Sequence, residues 1–275
     1  MRRRRVATGL LAVLLVVVLV IAALAVFQRR LIYLTGAEPV PPIAQVLPGG
    51  SEWLLQTQDG LELTSWFVEA ASARQDAMTV VVAPGNAGNR SHRAPLAHAL
   101  TDAGFDVLLV DYRGYGGNPG SPTGSGLALD IRAAYDAVLA SGVPAERILL
   151  FGESLGGAVV TGLATEVPAA GLVLRSPFVD LATVAADAYP FLPVRWLLQD
   201  ELPVLEPIRD VRMPVAVVYG TADSIVDPAQ SRRVAEAAPD AVAVLAVQGA
   251  DHNDSVLGYG PQVVAAVQAV AAAGS

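Results

Sequence analysis

Three residues, Ser154, Asp223 and His252, are of the types and in the chain order that nucleophilic hydrolysis requires. Ser154 lies in Gly152-Glu153-Ser154-Leu155-Gly156, directly after the apolar run at 147–151 and directly before a small-residue, helix-compatible stretch. A serine on a tight strand-to-helix turn takes strained backbone angles, and glycines two residues to either side let strand and helix approach without side-chain clash. The hydroxyl then projects alone. The helix that starts there aims unpaired main-chain N–H groups and its positive dipole end at the spot where an oxyanion would form.

Such a serine needs a base, and the composition allows one kind. The chain has no cysteine and no lysine, all 18 basic residues being arginine, so a thiol nucleophile, a serine-lysine dyad and Schiff-base chemistry are excluded. Histidine occurs only at 92, 98 and 252. The spacing of His92 and His98 is neither i,i+3 nor i,i+4, so no helical metal site is expected, and neither metal nor cofactor is predicted. Both read as ordinary residues of a helix. In a doubly wound sheet the partners of such a serine follow it as acid and then base, and only His252 lies beyond Ser154, in Gly249-Ala250-Asp251-His252-Asn253-Asp254 after the last predicted strand. The acid should follow the strand ending at Tyr219; Asp223 is preferred to Asp227, to hold the imidazole tautomer and stabilise the imidazolium. Asp227 and Asp251 read as solvated loop charges. For the oxyanion, Leu155 supplies one N–H and Asn86, in the turn Pro84-Gly85-Asn86-Ala87-Gly88-Asn89, supplies the other; Pro84 has no N–H to give.

The elements that must position these residues are legible as alternating patterns. Residues 6–27 are almost entirely Val, Leu, Ala and Ile, with Arg2 to Arg5 before them and Arg29 and Arg30 after. Twenty-two helical residues span about 33 Å, enough for a bilayer core of about 30 Å. Residues 1–30 are therefore read as an arginine cluster and a single-pass membrane anchor. The four leading arginines favour a cytoplasmic N-terminus and an extracytoplasmic domain. A cleaved signal peptide ending near Ala23-Leu24-Ala25 is the alternative, and it also exports the domain. Residues 31–50, rich in proline, read as an irregular linker, and 51–275 as the catalytic domain. Beyond the anchor, 12 arginines face all 26 carboxylates, so nucleic acid is not an expected partner.

Within the domain, 61–68 reads as an outer strand, and short apolar runs at 78–82, 105–110, 147–151, 171–174, 214–219 and 241–247 read as strands buried on both faces. Helix-length segments lie between them at 91–103, 124–141, 155–166, 228–238 and 261–273. The fold class is α/β, a doubly wound, mostly parallel sheet with functional residues at the carboxyl ends of strands. The segment from Val179 to Arg212, with Tyr189-Pro190-Phe191-Leu192-Pro193 and Trp196-Leu197-Leu198, is either a short cap over the site or part of the core.

With the segments FQRRLIY at 27–33, DGLELTSWF at 59–67, PGNAGNRSHR at 84–93, DYRGYGGNPGSPT at 111–123, GESLGGA at 152–158, GTADSIV at 220–226 and GADHND at 249–254, the chain resembles the α/β-hydrolase superfamily, most closely its small membrane-anchored serine hydrolases. The resemblance covers nearly everything after the anchor. It implies Ser154 as nucleophile, Asp223 as acid, His252 as base and Asn86 with Leu155 as oxyanion donors, the same residues the chain order selects. Such relatives usually carry histidine where this chain has Pro84, so an adjusted loop is expected there. Arg113 in DYRGYG is expected to form a buried ion pair with a carboxylate such as Asp111. The implied reaction is hydrolysis of an acyl ester or thioester, with lipid-derived substrates suggested by the anchor. Amide or peptide cleavage by the same residues and a non-catalytic anchored binding domain are the rival readings.

Overall fold

The computed structural model describes residues 2–72 and 77–274, with side chains from Ala7 onward, so the arginine flank on which the membrane orientation rests lies outside the described side chains. Helix α1 (Arg2–Ile32) is continuous, and its stretch from Ala7 to Ile32, which holds 18 residues of mean hydropathy 3.5, is long and apolar enough to cross a bilayer. It runs five residues past the predicted end of the apolar span at Phe27, because Gln28, Arg29 and Arg30 are good helix formers. The region 31–50 is irregular apart from the end of α1 and the short helix α2 (Ile43–Val46), and Leu34 bridges to Ala87.

Among the described residues, eight strands form one sheet: β1 (Ser51–Gln56), β2 (Glu62–Val68), β3 (Thr79–Ala83), β4 (Asp106–Leu109), β5 (Ile148–Glu153), β6 (Gly171–Arg175), β7 (Val215–Gly220) and β8 (Ala241–Val247). Their spatial order is β1-β2-β4-β3-β5-β6-β7-β8, antiparallel from β1 to β4 and parallel from there to β8. The helices are α3 (Ala94–Asp102), α4 (Gly124–Ala140), α5 (Leu155–Ala164), α6 (Leu181–Ala188), α7 (Val194–Leu197), α8 (Pro228–Ala237), α9 (Ser255–Tyr259) and α10 (Pro261–Ala273). Successive strand side chains point to opposite faces, which splits the core in two. Val81, Leu150 and Val217 pack with Leu127 of α4, Val160 of α5 and Val234 of α8. Their neighbours Val80, Phe151 and Val218 pack with Leu100 of α3 and Val267 of α10 on the other side. Helices on both faces make the sheet doubly wound, as expected. The apolar helix α10 spends its hydrophobicity here, burying Val263, Ala266, Val267 and Val270.

Three expectations need correction. The outer strand is β1, whose Glu52 and Gln56 masked its alternation; β2 lies inside it, with Trp66 fully buried. Strand β8 is not buried on both faces, because it closes the sheet and leaves Val242 and Val244 exposed. Arg113 does not pair with Asp111. Asp130, from α4, accepts from the Arg113 main-chain N–H at 2.9 Å and from Nη2 at 2.7 Å, and Asp59 takes Nη1 at 2.7 Å. A planar guanidinium is best met by carboxylates in its own plane, which α4 and the β1–β2 turn offer, whereas Asp111 faces Arg90 at 2.7 Å. Asp227 is exposed, and it also caps α8 by accepting from the Ala229 N–H at 2.8 Å.

The segment 179–212 divides between its two readings. Helices α6 and α7 form a cap, while Val204, Ile208 and Val211 enter the core.

Candidate active site

The chain direction reverses about β3, with β4 on one side and β5 on the other, so the loops after β3 and β5 emerge side by side. Asn86 is in the first loop and Ser154 ends the second. Ser154 has φ 51° and ψ −111°, a conformation that side-chain-bearing residues rarely hold, fixed in part by its N–H donating to the Arg175 carbonyl at 2.8 Å. The flanking glycines are steric requirements. A methyl group on Gly156 would stand 2.2 Å from the Ala83 carbonyl oxygen, and one on Gly152 would stand 2.6 Å from the Gly157 Cα.

Leu155 opens α5, and neither its N–H nor that of Asn86 has a hydrogen-bond partner among the described residues. The Asn86 turn is held from three directions. Its carbonyl accepts from the Leu34 N–H and the Tyr115 hydroxyl, each at 2.9 Å, and its side-chain amide donates to the Ile32 carbonyl at 3.1 Å. Pro84 contributes its own carbonyl, which accepts from the Tyr112 hydroxyl at 3.3 Å.

Asp223 and His252 follow the paired strands β7 and β8. Gly220 lets their loops touch, since a methyl group there would fall 2.2 Å from the Ala250 carbonyl oxygen, and the Ala222 N–H donates to that same oxygen at 3.1 Å. The buried His252 ring meets Asp223 with Nδ1 2.7 Å from Oδ2. The other oxygen, Oδ1, accepts from the N–H groups of Ile225 and Val226 at 3.0 and 2.8 Å. Burial pushes the Asp223 carboxyl up, but hydrogen bonds from His252 and these main-chain groups outweigh it and hold the carboxyl below its ordinary range. Asp251, read as a solvated charge, also ties the two loops together, accepting from the N–H groups of Ser224 and His252, each at 2.7 Å.

Sequence reasoning missed a second set of charges. Glu153, beside Ser154, is held by Arg93 at 3.0 Å and by Arg175 at 2.7 Å, and Arg175 also donates to the His252 main-chain carbonyl at 2.7 Å. Burial opposes ionisation of Glu153, yet the two guanidinium groups prevail and lower its pKa to about 2. Arg175 thus couples the serine turn to the histidine loop. A signal for it was present: an arginine closing the buried run Gly171-Leu-Val-Leu needs a carboxylate partner, and Glu153 sits opposite it in register.

A cavity of about 730 Å³ opens before Ser154, and His252, Asn86 and Leu155 line it with Leu181, Val184 and Leu192 of the cap. The five residues selected from sequence therefore share one site: four on the cavity wall, Asp223 behind His252. His92 and His98 stand apart from it; His92 faces Glu38 at 3.3 Å.

A family model described as serine aminopeptidase, S33 matches residues 74–207. The uncharacterized protein Rv2307c of Mycobacterium tuberculosis is 48% identical over 252 residues, covering 90% of this chain and 89% of that protein. The α/β hydrolase domain-containing protein aho-3 of Caenorhabditis elegans is 34% identical over 181 residues, covering 64% of this chain and 52% of that protein. Among solved structures, the Pyrococcus furiosus esterase Pf2001 superposes with a TM-score of 0.69 at 21% identity, over 86% of this chain and 96% of the esterase.

Proposed function

From the premise that this chain belongs to the α/β-hydrolase superfamily, we propose that it is a membrane-anchored serine hydrolase that cleaves carboxylic ester or thioester bonds through an acyl-enzyme on Ser154. The observation that supports this most is the 2.7 Å contact between Asp223 and His252 behind a cavity that Ser154 and His252 share with Asn86 and Leu155, whose N–H groups have no partner among the described residues.

In this mechanism Asp223 keeps the proton on His252 Nδ1, so Nε2 is free to accept one. Ser154 Oγ attacks the substrate carbonyl carbon as its proton passes to His252 Nε2. The carbonyl oxygen becomes an oxyanion that receives the N–H groups of Leu155 and Asn86, each such donor contributing about 3 to 4 kcal/mol. Collapse breaks the bond to the alcohol or thiol, which leaves with the proton from His252. Water then repeats the sequence on the acyl-enzyme, giving the acid and free Ser154. Asn86 is held by the end of α1 and by Tyr115, so its donor is placed before substrate arrives.

The apolar length of α1 and its flanking arginines support a single-pass anchor with the domain outside the cytoplasm. The second reading, amide or peptide cleavage, is favoured by the description of the matching family model, and the same five residues would perform it. Hydrolysis of a matched nitrophenyl ester and nitroanilide by the full chain separates the two. An ester kcat/KM that falls about a millionfold in His252→Ala, beside a nitroanilide cleaved no faster by wild type than by Ser154→Ala, supports the ester reading. Nitroanilide turnover well above that of Ser154→Ala overturns it.

A further inference from the structure

The cap and the end of α1 form one unit. Ile21, Leu24, Ala25, Gln28 and Ile32 recur at helical spacing and are the residues of this stretch shielded by the domain, while Val26 and Phe27 face outward. Gln28 donates to the Leu197 carbonyl at 2.9 Å and accepts from the Gln199 N–H at 2.9 Å, Gln199 donates back to the Ala25 carbonyl at 3.1 Å, and Arg29 pairs with Asp200 at 3.1 Å. These bonds fix the height of the cap against the helix axis.

That height is set by the bilayer. About 20 helical residues cross its hydrocarbon core, so a span that begins at Ala7 leaves the core near Val26. Leu24 is then inside the hydrocarbon edge and Gln28 to Arg30 are at headgroup depth. The cap segment bonded to Ala25 and Gln28 carries Phe191 and Trp196, 78% and 91% exposed, with Tyr189 half exposed beside them. Large aromatic side chains at that depth suit the membrane interface. The cavity before Ser154 reaches the same level, because Leu24, Gln28 and Leu31 are part of its wall.

We propose that the cap is seated in the bilayer interface by Phe191 and Trp196, and that the cavity receives its substrate sideways from the membrane, as the acyl chain of a long-chain ester resident in the bilayer. The proposal rests on the ester chemistry above and adds the occupant of the exposed face and the direction of access. An acyl chain crossing from lipid into an apolar cavity stays out of water throughout, whereas a chain arriving from solution would first have to leave the membrane. Retention of α1 follows, since cleavage after Ala25 would remove Leu24 from the cavity wall.

The test uses the full chain in phosphatidylcholine vesicles. With brominated phosphatidylcholine, Trp196 fluorescence should be quenched, and the quenched component should vanish in Trp196→Phe. Trp66 is buried in the sheet, and Trp53 sits on β1 at its far edge. In parallel, Phe191→Ser with Trp196→Ser, two changes outside the cavity wall, should lower hydrolysis of a vesicle-embedded long-chain ester about tenfold and leave hydrolysis of a water-soluble butyrate ester within about twofold. An unquenched Trp196, or equal loss on both esters, overturns the proposal. A wild-type chain that quenches normally but cleaves neither ester overturns the ester chemistry, and with it the access route, without touching the seating.

Discussion

Glu153→Gln keeps the size and shape of the side chain and removes one charge from between two arginines. In the folded protein its carboxyl titrates near 2 against an ordinary value of 4.5, a gap worth about 3 kcal/mol at roughly 1.4 kcal/mol per pH unit. Because the folded value is the lower one, this stabilisation is complete above the unfolded value and is lost as pH falls from about 5 towards 2. The variant should therefore be less stable by about 3 kcal/mol at pH 7, a drop in Tm of roughly 6 to 10 °C, and its difference from wild type should shrink on acidification. Arg175 would keep its bond to the His252 carbonyl but lose the carboxylate that aims it, so kcat should fall about tenfold with KM nearly unchanged. Urea unfolding of the full chain in detergent at pH 7 and pH 4, with ester kinetics at pH 7, measures all of this. A stability difference below about 0.5 kcal/mol at pH 7, or one that widens as pH falls, would refute the reasoning.

Gly156→Ala should destabilise by about 1 to 3 kcal/mol and abolish ester turnover, since the added methyl group can be admitted only by moving the serine turn off the Ala83 carbonyl; thermal melts and kinetics together check this. Asp223→Asn should lower kcat by about 10⁴-fold at pH 7 while leaving Ser154 in place, because an amide can hold the imidazole in the wrong tautomer. Asp130→Ala leaves the buried Arg113 guanidinium with Asp59 as its one carboxylate and should cost about 2 to 3 kcal/mol, with kcat of the folded fraction unaltered, as read from urea titration and active-site counting.

The alternation of apolar runs with helix-length segments made the doubly wound sheet readable, and the order Ser154, Asp223, His252 followed from it. What stayed hidden depended on contacts between distant segments. Strand β1 escaped notice because five of its six side chains are at least partly exposed. The pairing of Arg113 with Asp130 required knowing where α4 lies, which no local pattern records. The docking of α1 is the clearest case: Gln28 and Arg29 look like the polar flank of a membrane span, and only the fold brings Leu197, Gln199 and Asp200 to them. The bridging role of Asp251 was likewise hidden, because its partners, the N–H groups of Ser224 and His252, belong to two loops joined by the sheet.

Catalysis by this chain turns on whether Ser154 is an activated nucleophile. Incubation of the folded full chain with a fluorophosphonate, followed by intact mass and peptide mapping, measures this directly. One phosphonyl adduct on Ser154, absent in Ser154→Ala and strongly slowed in His252→Ala, is the predicted result; an unlabelled wild-type chain, or equal labelling of Ser154→Ala, would contradict it.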